Sequence, residues 1–168
     1  MSELEKGLSR RRVLVGTAWA APAILVAVSA PARAASGDVV TGSLLIFNNV
    51  SIFPENGGNI GGNFSYRISW VDGVPADATL DTHWTVTAVR DSDQTTYTMA
   101  STDPGQTDPV TLVNAGSSDT YAIELSGVQP GTYTVTVRVT ADPYVDTSTG
   151  TTYLVPDLTS VTTGVEVV

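Results

Sequence analysis

The chain has 168 residues, a formal net charge of −9, a single histidine and no cysteine. Disulfide bridges are therefore excluded, and a structural zinc site would lack its usual thiolate and imidazole ligands. With 17 acidic against 8 basic side chains, the surface repels phosphate backbones and anionic lipid, so no nucleic acid partner is expected.

The N-terminal segment has a basic start, an apolar run and a small-residue end. Three arginines at positions 10–12 precede the apolar residues 13–28, and Ala32 and Ala34 bracket a small-x-small cleavage pattern. This order predicts a secretory signal peptide, which is helical if it is retained. The run is shorter than the roughly 20 apolar residues of a membrane-spanning helix, so we expect no stable membrane anchor after cleavage.

Residues 9–15, SRRRVLV, resemble the twin-arginine export motif, with Arg10 and Arg11 as the arginine pair. Val13 and Val15 stand where that family has Phe and Lys. The resemblance implies a bacterial protein that passes through the export machinery by its leader. The expected location is extracellular, or loosely associated with the cell envelope.

Three segments are predicted: a signal peptide at 1–34, a short linker at 35–42 and one domain at 43–168. A domain of this size is large enough to bury a core. Cleavage after Ala34 leaves three basic side chains, Arg67, Arg90 and Arg138, against fifteen acidic ones. The exported domain is therefore strongly acidic.

Apolar and polar residues alternate along the predicted domain with the period of two that is typical of half-buried strands. The clearest alternation lies at 64–70, 84–88, 121–125 and 133–140, and weaker segments lie at 44–53, 96–100, 110–113, 151–155 and 161–168. Gly, Pro, Asn and Asp clusters separate these segments, and no helical period appears. About seven to nine strands in this pattern predict an all-β fold, an antiparallel two-sheet sandwich.

Residues 125–137, LSGVQPGTYTVTV, resemble the corner that leads into the penultimate strand of immunoglobulin-like and fibronectin type III-like domains. The resemblance implies an immunoglobulin-like sandwich in which Val128 closes one end and the Tyr133 hydroxyl bonds back to the corner. It also implies that Trp84 is the buried tryptophan of the third strand, with Trp70 as its competitor.

In immunoglobulin strand order, the loop at 72–81 and the loop at 142–146 would meet at one end of the sandwich, and the loop at 103–108 would join them. Their acidic residues include Asp72, Asp77, Asp81, Asp142 and Asp146. Carboxylates and loop carbonyls are the ligands that calcium prefers, so these five are the candidate metal ligands. The alternative is a set of solvated acidic loops, and no other cofactor is expected.

His83 is the residue on which a catalytic triad would depend, but no G-x-S-x-G motif accompanies it. We interpret it as a histidine at the end of a strand, and we predict that the protein is not an enzyme. Tyr97, Tyr144 and Tyr153 fall outside the clearest apolar faces and are the candidates to line a sugar-binding end.

Three functions remain open on the sequence alone. The first is a non-catalytic module for adhesion or envelope-associated interaction, which contacts an unknown protein or glycan through loops at one end. The second is a module that binds carbohydrate or calcium. The third is an enzyme of unrecognised type.

Overall fold

A computed structural model describes residues 38–113 and 116–168, and these residues form strands and turns without a helix. Within them lie eleven strands: β1 (Val39–Val40), β2 (Leu44–Glu55), β3 (Asn59–Ser69), β4 (Thr79–Arg90), β5 (Thr96–Ala100), β6 (Val110–Val113), β7 (Tyr121–Leu125), β8 (Gly131–Ala141), β9 (Tyr144–Val145), β10 (Thr152–Tyr153) and β11 (Leu158–Val167). The predicted all-β class is confirmed. In this part of the chain, no helix offers the length and apolarity that a membrane crossing requires.

Two antiparallel sheets contain most of the strands. One has the order β2-β3-β7, and the other has the order β11-β8-β4-β5, with β6 also paired to β4. A small third sheet has the order β1-β10-β9, in which β1 runs parallel to β10. This arrangement is consistent with a β-sandwich. Because β1 takes residues 39–40 into a sheet, part of the predicted linker at 35–42 is a strand.

The core lies between the two larger sheets and contains the inward positions of the alternating strands. The Phe64 ring on β3 meets the Trp84 ring on β4 edge-on, with 5.3 Å between centroids. Phe64, Tyr66, Trp84 and Tyr133 are each at most 1% exposed. Burying one large apolar side chain contributes about 1.5–3 kcal/mol, so these aromatic residues dominate the packing between the sheets.

The pairing of β4 with β8 defines two ends of the molecule. Arg90 lies opposite Tyr133 at one end of this ladder, which we call the corner end. Thr82 lies opposite Ala141 at the other, which we call the loop end. The paired strands β4 and β8 therefore extend from one end of the molecule to the other and contribute side chains to both ends.

Two edge strands, β2 and β11, have an irregular pairing register. The register of β2 shifts between Phe47 and Asn49, and that of β11 shifts between Thr162 and Val165. Gly164 occupies the second irregularity with a φ of +74°, a left-handed conformation that favours glycine. By contrast, β7 pairs with β3 in continuous register along its five residues.

The hairpin of β2 and β3 extends further than the sequence pattern predicts, because β3 begins at Asn59 and not at Phe64. The pair Gly61-Gly62 reads as turn chemistry in a sequence, but here it lies within the strand. A Cβ at Gly62 would come within 2.1 Å of the Ser51 carbonyl oxygen. Glycine is therefore required by the close approach of the two strands.

Candidate functional site

His83 lies at the loop end, between two carboxylates from different connections. Its Nδ1 is 2.6 Å from Asp108 Oδ1, and its Nε2 is 3.5 Å from Asp142 Oδ2. Asp108 belongs to the connection between β5 and β6, and Asp142 directly follows β8. Both ring nitrogens therefore face carboxylates, and His83 joins three parts of the chain.

Ser101 connects this cluster to the core. Its hydroxyl accepts a hydrogen bond from the Trp84 backbone N–H at 3.2 Å and donates one to Asp108 Oδ1 at 2.8 Å. Ser101 is buried. Because its proton is directed to Asp108 and not to His83, the group is not arranged as a nucleophile with its base. The cluster instead anchors the loop end to β4.

These contacts change two pKa values. The hydrogen bond with Asp108 is the main cause that raises the pKa of His83 above its ordinary value, against the smaller opposing effect of partial burial. The contact with Asp142 raises it further. The hydrogen bonds from His83 and then from Ser101 lower the pKa of Asp108. The charged pair is thus the favoured state in weakly acidic water.

Two of the predicted loops are each bonded to a strand at the loop end, and Asp81 itself lies on β4 and not in a loop. The Asp142 backbone N–H donates to the Asp81 carbonyl at 2.9 Å, and the Tyr153 hydroxyl donates to the Gly73 carbonyl at 3.3 Å. In the third predicted loop, Asp108 contacts His83, which also lies on β4.

The carboxylates themselves do not converge. Asp146 accepts hydrogen bonds from the Ser148 backbone, the Ser148 hydroxyl and the Thr149 hydroxyl within its own turn. Asp81 accepts one from Thr111 at 2.7 Å, and Asp142 faces His83. Among the described residues, no group of three or more His, Cys, Asp or Glu side chains is placed to hold a metal ion. Asp72 and Asp77 lie exposed in their loop.

The three tyrosines that were candidates to line a binding end are engaged in packing. Tyr144 and Tyr153 form an aromatic cluster with Trp70, with ring centroids 5.8–6.4 Å apart. Tyr97 packs edge-on against Tyr133 at 6.1 Å, and its hydroxyl accepts the Gln129 N–H at 3.2 Å. They stabilise the two ends of the molecule and do not form an exposed aromatic row.

At the corner end, the Tyr133 hydroxyl donates a hydrogen bond to the Gln129 carbonyl at 2.7 Å. Val128 is buried, and its N–H donates to the Gly58 carbonyl at 2.7 Å. Burial raises the pKa of Tyr133 above its ordinary value. Of the two tryptophans that the structure describes, Trp84 is fully buried and Trp70 is half-buried.

Two grooves flank the edge strand β7. One, which we call the outer groove, has a volume of about 240 Å³ and lies between β7 and the outward side of β2 and β3. The other, which we call the inter-sheet groove, lies between β7 and β5 and is of similar size. Glu124, Leu125 and Ser126 line both grooves.

The outer groove combines an exposed aromatic ring with two carboxylates. Phe53 is 44% exposed. A Cβ at Gly61 would meet Glu55 Oε1 at 2.1 Å, so the Glu55 carboxylate lies over the bare backbone of Gly61. Glu124 is the residue opposite Gly61 on β7. Sequence reasoning missed this groove, although the Gly61-Gly62 pair inside an apolar pattern was a signal of close backbone approach.

The leader residues Arg10, Arg11, Ala32 and Ala34 lie outside the described residues, so the signal-peptide and cleavage predictions remain predictions. No protein-family model matches the sequence, and no curated protein is similar to it.

Proposed function

We propose that the chain is an exported bacterial protein whose single immunoglobulin-like domain is a non-catalytic module for adhesion or for interaction at the cell envelope. Its location would be the medium or the envelope surface, and its partner a protein or a glycan there. The leader sequence supports export. The loops of the loop end supply the proposed contact surface.

Strand order supports the immunoglobulin-like assignment. If the strands are lettered as in that fold, β2, β3 and β7 correspond to strands A, B and E, and β4, β8 and β11 correspond to C, F and G. The buried Trp84 then lies on strand C. The hydrogen bond between Tyr133 and Gln129 lies at the start of strand F, where such domains have a tyrosine corner.

The observation that supports the proposed role is the attachment of two loops at the loop end to the same strand, β4. His83 bridges Asp108 and Asp142, and Asp142 is joined through its backbone to Asp81. Loops that are already fixed lose less conformational entropy when a partner binds. A preorganised loop surface on a rigid sandwich is the usual construction of a binding module.

Export is tested by changing the arginine pair. The double variant Arg10→Lys with Arg11→Lys should stay inside a bacterial host that has the twin-arginine pathway, whereas the unchanged chain should reach the medium or the envelope. The matched control Arg12→Lys keeps the pair and should be exported. Equal export of all three chains would contradict this route.

Interaction is tested by binding of the purified chain to bacterial envelope preparations. Asp72→Lys reverses one exposed charge at the loop end and should lower the retained fraction. Glu166→Lys makes the same charge change near the corner end, opposite Thr132, and should leave retention unchanged. If neither change alters retention, the loop end is not the contact surface.

A further inference from the structure

The edge of β7 is open and is accompanied by a groove on each side. β7 is the last strand of the order β2-β3-β7, and no further strand pairs with it among the described residues. The outer groove is built from β2 and β3 of the same sheet, and the inter-sheet groove is built from β5 of the facing sheet. The two grooves therefore lie on opposite sides of β7.

This geometry matches what an added strand needs. An extended peptide that pairs with an edge directs successive side chains to opposite sides of the sheet. Its main chain supplies the hydrogen bonds, and pockets for alternate side chains supply the specificity. Here one set of side chains would enter the outer groove, and the other set would enter the inter-sheet groove.

The charge of the outer groove defines the side chains that would enter it. Within the described part of the chain, the side-chain carboxylates of Glu55 and Glu124 have no hydrogen-bond or ion-pair partner. The arginines at positions 90 and 138 are bonded to Asp93 and Asp157. The carboxylates and the exposed Phe53 ring together suit a Lys or Arg side chain, which can pair with the former and stack on the latter.

The inter-sheet groove suits different side chains. Tyr97 and Met99, both half-buried on β5, offer apolar contact there, but the exposed Thr98 between them and Glu124 of β7 also line the groove. Asp103 also lines this groove, but its carboxylate already accepts the Ala100 N–H at 2.7 Å. Because apolar and polar groups both line this groove, side chains on this side of an added strand should be small and uncharged.

From these observations we propose that β7 is a docking edge for an extended segment of another protein that alternates basic with small uncharged residues. The proposal rests on the proposed role as an interaction module and adds a second surface, distinct from the loop end. A second copy of this domain is a poor occupant. Its own β7 would bring Glu124 against an already acidic groove, and like charges that face each other are destabilising.

The test uses the full chain and a short fluorescent peptide that alternates lysine with valine. Binding, followed by anisotropy, should be saturable and should weaken at high salt because the lysines pair with carboxylates. Glu124→Lys should weaken it about tenfold or more, and the matched control Glu166→Lys on β11 should change it less than about twofold. Circular dichroism of each variant verifies the fold.

A second peptide separates strand pairing from charge attraction. It has the same sequence and charge but N-methyl groups on alternate residues, so it cannot donate the hydrogen bonds of a ladder. It should not bind. Equal binding of the N-methylated peptide, or equal losses in both glutamate variants, would overturn the proposal, as would no binding of the plain peptide.

Sedimentation of the chain alone tests whether a second copy of the chain occupies the β7 edge. Self-association that the plain peptide reverses would mean that a second copy covers β7, which also overturns the proposal. None of these outcomes bears on envelope retention by the loop end, which Asp72→Lys tests independently. The two proposals can therefore fail separately.

Discussion

The corner end and the loop end are held together by different chemistry, although the same two strands, β4 and β8, lead into both. At the corner end, the neutral hydroxyl of Tyr133 bonds to Gln129, and Arg90 pairs with Asp93 and donates to the Pro130 carbonyl. At the loop end, a histidine bridges two carboxylates. One end contains groups that keep their protonation state near neutral pH, and the other end does not.

The comparison shows how one ladder can have two ends that respond differently to pH. The pair of Arg90 with Asp93 keeps its charges because the contact raises the pKa of the arginine and lowers that of the aspartate. His83 has an ordinary pKa close to neutrality, and its contacts with Asp108 and Asp142 raise that pKa, so its charge is lost as the pH rises through the folded-state value. The loop end is therefore the pH-dependent end.

The largest effect is expected at the corner end, from Tyr133→Ala. This change removes a fully buried ring and should lower the free energy of unfolding by about 3–5 kcal/mol, measured by urea denaturation. Tyr133→Phe keeps the ring and removes only the hydrogen bond, so it should cost about 1 kcal/mol. Equal losses in the two variants would mean that the hydroxyl, and not packing, holds this end.

At the loop end, Asp146→Ala should lower the melting temperature by a few degrees at neutral pH, because three hydrogen bonds within the turn are lost. Those bonds lower the pKa of Asp146. Their contribution is therefore present above the ordinary pKa of an aspartate and disappears as the pH falls through the lowered value. Asp72→Ala, in a neighbouring loop, is the control that should leave the melting temperature unchanged. A deficit in Asp146→Ala that persists in strong acid would contradict this cause.

His83→Gln tests the pH dependence. The raised pKa of His83 means that the contribution of its charged form is complete below about pH 6.5 and is lost as the pH rises through the folded-state value. The unchanged protein should thus lose stability relative to the variant across this range. Since the ring is 36% exposed and screened by water, the effect should be under about 1 kcal/mol.

Thermal melts at a series of pH values measure this difference. Asp142→Asn keeps the shorter contact of His83 with Asp108 and should retain most of the pH dependence. Asp108 has a lowered pKa, so its own contribution is present above the ordinary pKa of an aspartate and is lost as the pH falls through the lowered value. Parallel melting curves for His83→Gln and the unchanged protein would show that the bridge does not stabilise the fold.

The smallest effect is expected between the two ends. Arg138 on β8 pairs with Asp157, and both side chains are about half exposed. Arg138→Gln should change the free energy of unfolding by less than about 0.5 kcal/mol, because exposed ion pairs are offset by hydration and screened by salt. A loss of unfolding free energy as large as that of Tyr133→Phe would show that this ion pair stabilises the fold more than exposed ion pairs usually do.

The sequence was informative where alternation is local. The segments at 96–100, 110–113 and 121–125 were predicted with the bounds that β5, β6 and β7 have. The period of two is a property of the strand alone, so it requires no knowledge of the partner strand. The two-residue strands β1 and β9 were missed because two residues cannot display a period.

The candidate site was harder to predict, since its contacts join distant residues. Asp108 is 25 positions from His83, and no local pattern indicates that they meet. Tyr144 and Tyr153 lie outside the clear apolar faces because their partner is Trp70 in another segment. The outer groove depends on Gly61 and Gly62. A Gly-Gly pair indicates a turn when only the local sequence is considered, without the strands that pack against it.

The irregularities in β2 and β11 have a consequence for assembly. When molecules associate side by side through their sheets, each one must pair one edge strand with the molecule before it and another edge strand with the molecule after it. The register shifts near Phe47 and Gly164 make two of these edge strands irregular. A molecule that receives a strand along β7 therefore has no regular edge in β2 or β11 with which it could pair to a further molecule. Growth through those two edges stops after one step instead of producing a fibre.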